Sequence, residues 1–188
     1  MAFKRPGVMA FSTAVERMLG RVPTGLAEWR VVVHHSEKGR YVGCALGTGS
    51  ALPFEAELPE LPYDAWQVDR RFHWDDGGVA LQRIVFVHRI AAIDHDEFAA
   101  HWTDMHTPLA RKHHPALIRY AQHVVVRPLT EEAEPFDGFA ELGFASEDDM
   151  EQRMYDSPAG EAVIAADVAT FLDIRRGTRV LGVPHLAS

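Results

Sequence analysis

Between residues 94 and 109 the chain reads DHDEFAAHWTDMHTPL, and this stretch limits the available folds more than any other. Asp94 and Glu97 have the spacing of a capping box, in which each side chain satisfies a backbone amide of the first turn, so a helix is expected to begin there. Phe98, Trp102, Met105 and Leu109 recur at steps of three and four residues and fall on one stripe. Such a stripe has to be buried against another element. His106 stands one turn after Trp102 and borders the stripe, while Pro108 disfavours helical geometry at Thr107 and is expected to stop the helix. The sequence thus places a histidine on the buried side of a terminating helix.

Strands on either side supply the surface for that stripe. The run IVFVHRI at 84–90 reads as a strand before the helix. After a connection through His113, His114 and Pro115, expected to be exposed, residues 118–126 form a second strand with Tyr120, Gln122 and Val124 on one face and Arg119, Ala121 and His123 on the other. Residues 137–144 make a third, with Phe139, Glu141 and Gly143 on one side. Ser146 caps a helix running to about 154, Ser157 with Pro158 opens another through 168, and 171–183 closes with a fourth strand. The order β-α-β-β-α-β is a split βαβ arrangement, with two helices covering one face of an antiparallel sheet. Its other face needs a second sheet.

The first half repeats this order incompletely: a frayed start over the first ten residues, a helix at 11–19, a hairpin of 29–34 with 41–46, a short helix at 54–61 and a strand at 65–74. Asp75, Asp76, Gly77 and Gly78 announce a turn and divide a degenerate unit, 1–78, from a complete one, 79–188. The expected fold class is α+β, with ferredoxin-like split βαβ units forming an α+β barrel of antiparallel sheets with the helices outside. Closure within the chain makes a pseudo-dimer. The competing arrangement is a homodimer in which the C-terminal unit pairs between chains.

Charge and composition narrow the partners. With 27 acidic against 19 basic residues the net charge is −8, which argues against a nucleic-acid surface. Cys44 is the single cysteine and makes no internal disulfide, the start MAFKRPGVMAF lacks a secretory h-region, and no apolar run approaches a membrane span, so a cytoplasmic protein with soluble partners is expected.

Taken together, F-x-x-x-W-x-x-x-H-x-P-L from Phe98 to Leu109, Y-x-Q-x from Tyr120 to His123, and D-x-x-x-E from Asp137 to Glu141 resemble the EthD family of dimeric α+β barrel proteins, over roughly residues 82–182. The resemblance implies a cleft between sheet and helices and constrains activity only loosely, since similar barrels include polyketide cyclases, lactone isomerases and haem-degrading monooxygenases.

Within such a cleft His106 suits a general acid or base near neutral pH, and Tyr120 suits a donor to a developing oxyanion. The alternative roles are a backbone bond from His106 that stops the helix, and a core position for Tyr120. Phe98, Trp102, His123, Glu141 and Phe144 are the expected ligand contacts, and Glu141 would orient His106 if it faced the cleft. His101 points away toward solvent or an interface. Of the eleven histidines, His101 and His106 are five apart, off the four-residue step of a zinc helix, and His34 and His35 point to opposite strand faces, so no metal site and no cofactor are called for. Haem enters only by analogy. The expected function is small-molecule binding. The catalytic version is a cofactor-independent cyclase, isomerase or dehydratase acting on a partly apolar carbonyl compound; the alternatives are a non-catalytic accessory binder and a monooxygenase, cofactor-independent or haem-linked.

Overall fold

The structure, a computed structural model, describes the backbone of residues 3–12, 26–34, 43–49 and 63–186, and the side chains of Met9 and residues 64–184. The described strands are β1 (Phe3–Ser12), β2 (Leu26–His34), β3 (Gly43–Gly49), β4 (Tyr63–Asp75), β5 (Leu81–Val87), β6 (Arg119–Pro128), β7 (Gly138–Phe144) and β8 (Thr178–Leu186). They close into a barrel in the order β1-β3-β2-β8-β5-β7-β6-β4, with every pairing antiparallel. Numbering each set of four from its own start, both β4-β1-β3-β2 and β8-β5-β7-β6 read 4-1-3-2, and the sets join through β2 with β8 and β4 with β6. The α+β barrel is the fold class expected from the sequence. The barrel closes within one chain, and each described strand pairs on both sides.

Two-residue periodicity sorts the strand side chains into two cores. Met9, Trp66, Val68, Ile84, Phe86, Val125, Phe139 and Val180 fill the barrel. The opposite face of β5, β6 and β7, with Val87, Tyr120, Val124, Ala140 and Phe144, packs against the helices through Phe98, Trp102, Ala110, Met150 and Phe171. These helices are α1 (His95–His101), α2 (Thr107–His113), α3 (Glu147–Gln152) and α4 (Pro158–Phe171). No helix among the described residues is long and apolar enough to cross a membrane.

The caps sit where the side-chain chemistry places them. Asp94 accepts from the Glu97 amide at 2.8 Å while Glu97 accepts from the Asp94 amide at 2.9 Å; Ser146 and Ser157 accept from the Asp149 and Gly160 amides at 3.0 Å each. Gly77 and Gly78, both at positive φ, make the turn between β4 and β5.

Three boundaries differ from expectation. Residues 3–10 are not frayed: Phe3–Ser12 is a strand between β3 and β4, and its poor strand formers are held by pairing, Pro6 to β4 and Gly7 to both neighbours. Phe11 and Ser12 belong to that strand, and the rest of the helix expected at 11–19, like the one at 54–61, lies outside the described residues. Phe171 ends α4 rather than opening the last strand, because its ring is wholly buried against the helix–sheet core.

Candidate active site

The helix that opens at Asp94 does not stop at Pro108. It widens into one π turn, Trp102–His106, and continues as α2 to His113. Proline lacks an amide hydrogen and its ring presses on the carbonyl one turn back, and a wider turn relieves both problems. The Trp102 carbonyl accepts instead from the Thr107 hydroxyl at 3.1 Å and the Gln122 amide at 2.8 Å. The wide turn also resets the buried row. Four-residue steps overshoot a regular helical turn by about 40° each, and the π turn absorbs much of that drift, so Phe98, Trp102, His106 and Ala110 all face inward. Met105, expected on the stripe, is 59% exposed.

Between this helix, α4 and the sheet lies a cavity of about 650 Å³. Its walls are mostly aliphatic, with Val85, Leu117, Leu142, Met154, Ile164 and Val168. Trp102, His106 and Tyr120 line it together. His106 donates from Nδ1 to Asp167 at 2.8 Å, and the other oxygen of that carboxylate accepts from His101 Nε2 at 2.9 Å. Two N–H donors on one carboxylate fix both tautomers, and His106 presents Nε2 with no protein partner among the described residues. Burial holds the His106 imidazole below its ordinary range, and Asp167 opposes that effect.

Tyr120 is wholly buried except toward this space. Its hydroxyl accepts from Trp102 Nε1 at 3.0 Å and from Gln122 Nε2 at 3.1 Å. Both lone pairs are occupied, and the hydroxyl hydrogen has no acceptor among the described residues, so the group is poised to donate. Burial pushes the phenol well above its ordinary range and keeps it protonated. The Gln122 amide is the hub: besides Tyr120 and the Trp102 carbonyl it donates to Thr107 Oγ1 at 2.9 Å, and its oxygen accepts from Thr103 at 3.1 Å.

The remaining candidates are placed elsewhere. Phe98 and Phe144 are packed in the helix–sheet core and do not line the cavity. His123 and Glu141 face the barrel interior, where Glu141 accepts from His123 at 3.0 Å and from Arg70 at 3.4 Å. Glu141 therefore does not orient His106; Asp167 does. His101 is drawn back to that same carboxylate rather than to solvent. The His113 and His114 pair is buried rather than exposed: His113 donates to Asp156 at 3.1 Å, and His114 donates to the Met154 carbonyl at 2.7 Å and lines the cavity. Sequence reasoning missed His114 as a cavity group and Asp167 as the partner that orients His106. The Tyr-x-Gln spacing did carry a signal for Gln122, since i and i+2 share a strand face. Among the described residues no cluster of three or more histidine, cysteine, aspartate or glutamate side chains could hold a metal ion.

Residues 91–175 match the family model of the EthD domain. That matched segment supplies His106, Tyr120, Asp167 and His114, while β5 and β8 of the cavity floor lie outside it. No curated protein matches the sequence. Among solved structures, an anthrone oxidase-like protein is similar with a TM-score of 0.69 and 10% identity, over 98% of this chain and 94% of that one. A putative monooxygenase from Fusobacterium nucleatum subsp. nucleatum is similar with a TM-score of 0.54 and 9% identity, over 100% of this chain and 94% of that one. At such identities these likenesses establish the fold alone, and they extend it beyond the matched segment to both halves of the barrel.

Proposed function

We propose that this protein binds a small, partly apolar carbonyl compound in the cleft of its EthD domain and moves a proton on it without a cofactor. The observation that carries the reading is the convergence, on one cavity, of an imidazole nitrogen freed by Asp167 and a phenol able only to donate. His106 Nε2 takes a proton from a carbon next to the carbonyl; the electron pair moves onto the carbonyl oxygen, and Tyr120 holds the resulting enolate by donating to it. The imidazolium, stabilised by Asp167, returns the proton at another atom, which completes an isomerisation, and the same enolate opens cyclisation or dehydration. The two fold neighbours' printed names favour a second reading, direct reaction of the enolate with dioxygen, which oxygen uptake separates from the first.

The test is proton exchange on 2-tetralone, a readily enolised ketone, in D2O. The protein is expected to accelerate exchange beside the carbonyl, with a loss of about 10²- to 10⁴-fold in His106→Ala and about 10²-fold in Tyr120→Phe. Exchange no faster than in buffer, or indifferent to His106→Ala, would leave a binding protein without catalysis.

A further inference from the structure

The cavity floor carries a cation, Arg83, that makes no ion pair among the described residues. Arg83 on β5 points into the cavity, its Nε is buried without a hydrogen-bond partner, and its guanidinium lies 6.0 Å from the centroid of the Phe144 ring. Arg179 on β8 lines the same space. Neither makes an ion pair among the described residues. Val85 pairs with Arg179 and Arg83 with Leu181, so the two arginines are diagonal neighbours on one sheet face, at the about 7 Å typical of such positions. Each repels the other: Arg179 and burial together hold the Arg83 guanidinium below its ordinary range. Buried cations are normally paired, so an unpaired one beside a second positive charge in a chain of net charge −8 calls for an anion from outside. Asp173, the carboxylate lining the cavity, is already engaged by Arg175, which donates to both its oxygens at 3.0 and 3.2 Å, and Asp167 behind His106 is held by two histidines.

Register fixes how far this cation lies from the reacting end. Tyr120 pairs with Leu142 and Leu142 with Arg83, so Tyr120 and Arg83 occupy one row two strands apart, about 10 Å at ordinary strand spacing. The floor between them is the aliphatic side chain of Leu142. We propose that the ligand of this cleft carries a carboxylate about 10 Å from its reacting carbonyl, and that Arg83 and Arg179 bind that carboxylate while Tyr120 holds the carbonyl. This rests on the cleft being the ligand site and adds the class of ligand: an apolar keto acid with its two polar ends held apart by an aromatic or alicyclic body.

The probes are 6-acetyl-2-naphthoic acid and its methyl ester, which share a shape and differ in one charge, with binding followed by quenching of tryptophan fluorescence. The wild-type protein is expected to bind the acid at least tenfold more tightly than the ester. Arg83→Gln should bring that ratio near one with ester affinity kept within about twofold. Arg179→Gln, at an exposed position that carries little packing, should lower the ratio at least about threefold and serves if Arg83→Gln does not fold. Equal binding of acid and ester, no binding of either, or a preference that survives in the double variant overturns the inference. In the wild-type protein, no preference for the acid with tetralone exchange present would overturn this inference alone; no exchange with the preference present would overturn the proton-transfer reading alone.

Discussion

Asp167 decides what His106 can do. An imidazole exchanging a proton with a ligand needs one nitrogen tied and the other free, and the carboxylate ties Nδ1 at 2.8 Å. In Asp167→Asn the side chain keeps its shape and loses its charge, so the imidazolium formed during the reaction loses its stabilisation and the tautomer is no longer enforced. Tetralone exchange is expected to fall by about 10²- to 10⁴-fold. Because Asp167 raises the His106 pKa against burial, its removal lowers that pKa further. The free base is the form present above the pKa, so the acid limb of the exchange profile should move to lower pH. A profile that stays in place, or moves up, contradicts the assigned contact. Asp167 could not be read from the sequence as a site residue, since 61 positions separate it from His106 and it sits in a helix whose alternating alanines and acids resemble a solvated face. His106 and Tyr120 were legible because helical and strand periodicity each put them on a buried side.

At the level of the element, Trp102 joins helix to sheet, and Gly138 on β7 makes room for it. A Cβ added at Gly138 would lie 2.5 Å from Trp102 Cζ3 and 2.9 Å from the His123 carbonyl oxygen, too close for the rigid ring and backbone to absorb. Gly138→Ala should therefore cost about 1–3 kcal/mol in urea denaturation and, by moving the indole off the Tyr120 hydroxyl, slow exchange as well. An unchanged midpoint would mean that the helix rides loosely on the sheet. The caps at Asp94, Ser146 and Ser157 were legible because capping is local chemistry. The π turn was not: Pro108 taken alone reads as a stop, whereas the wide turn is held at the Trp102 carbonyl by the Thr107 hydroxyl and by Gln122, which reaches it from a strand. His114 misleads for the same reason, since a His-His-Pro connection reads as exposed until the Met154 carbonyl draws the ring under cover.

For the whole molecule, the barrel places its titratable groups where acid will find them. His73, His88, His106 and His114 are each held below the ordinary imidazole value by burial. With folded-state values below about 6.5, the unfolded chain takes up protons first as pH falls. Stability is therefore full above about 6.5, declines as pH drops from there toward the folded-state values, and levels off below them. The urea midpoint should fall between pH 7.5 and 5.5, and a flat midpoint would place these rings in water. The second half of the barrel was legible as an ordered set of strands and helices, and the first strand was not, because Phe3–Ser12 owes its conformation to neighbours 31 to 69 residues away. The central claim is that the cleft holds an enolate between Tyr120 and His106. A crystal structure with 2-naphthol, which mimics the enol of 2-tetralone, tests it most directly. The naphthol oxygen is predicted to lie within hydrogen-bond distance of the Tyr120 hydroxyl, with the adjacent ring carbon about 3.5 Å from His106 Nε2. Naphthol bound outside the cleft, or bound there with its oxygen turned away from Tyr120, would contradict the account.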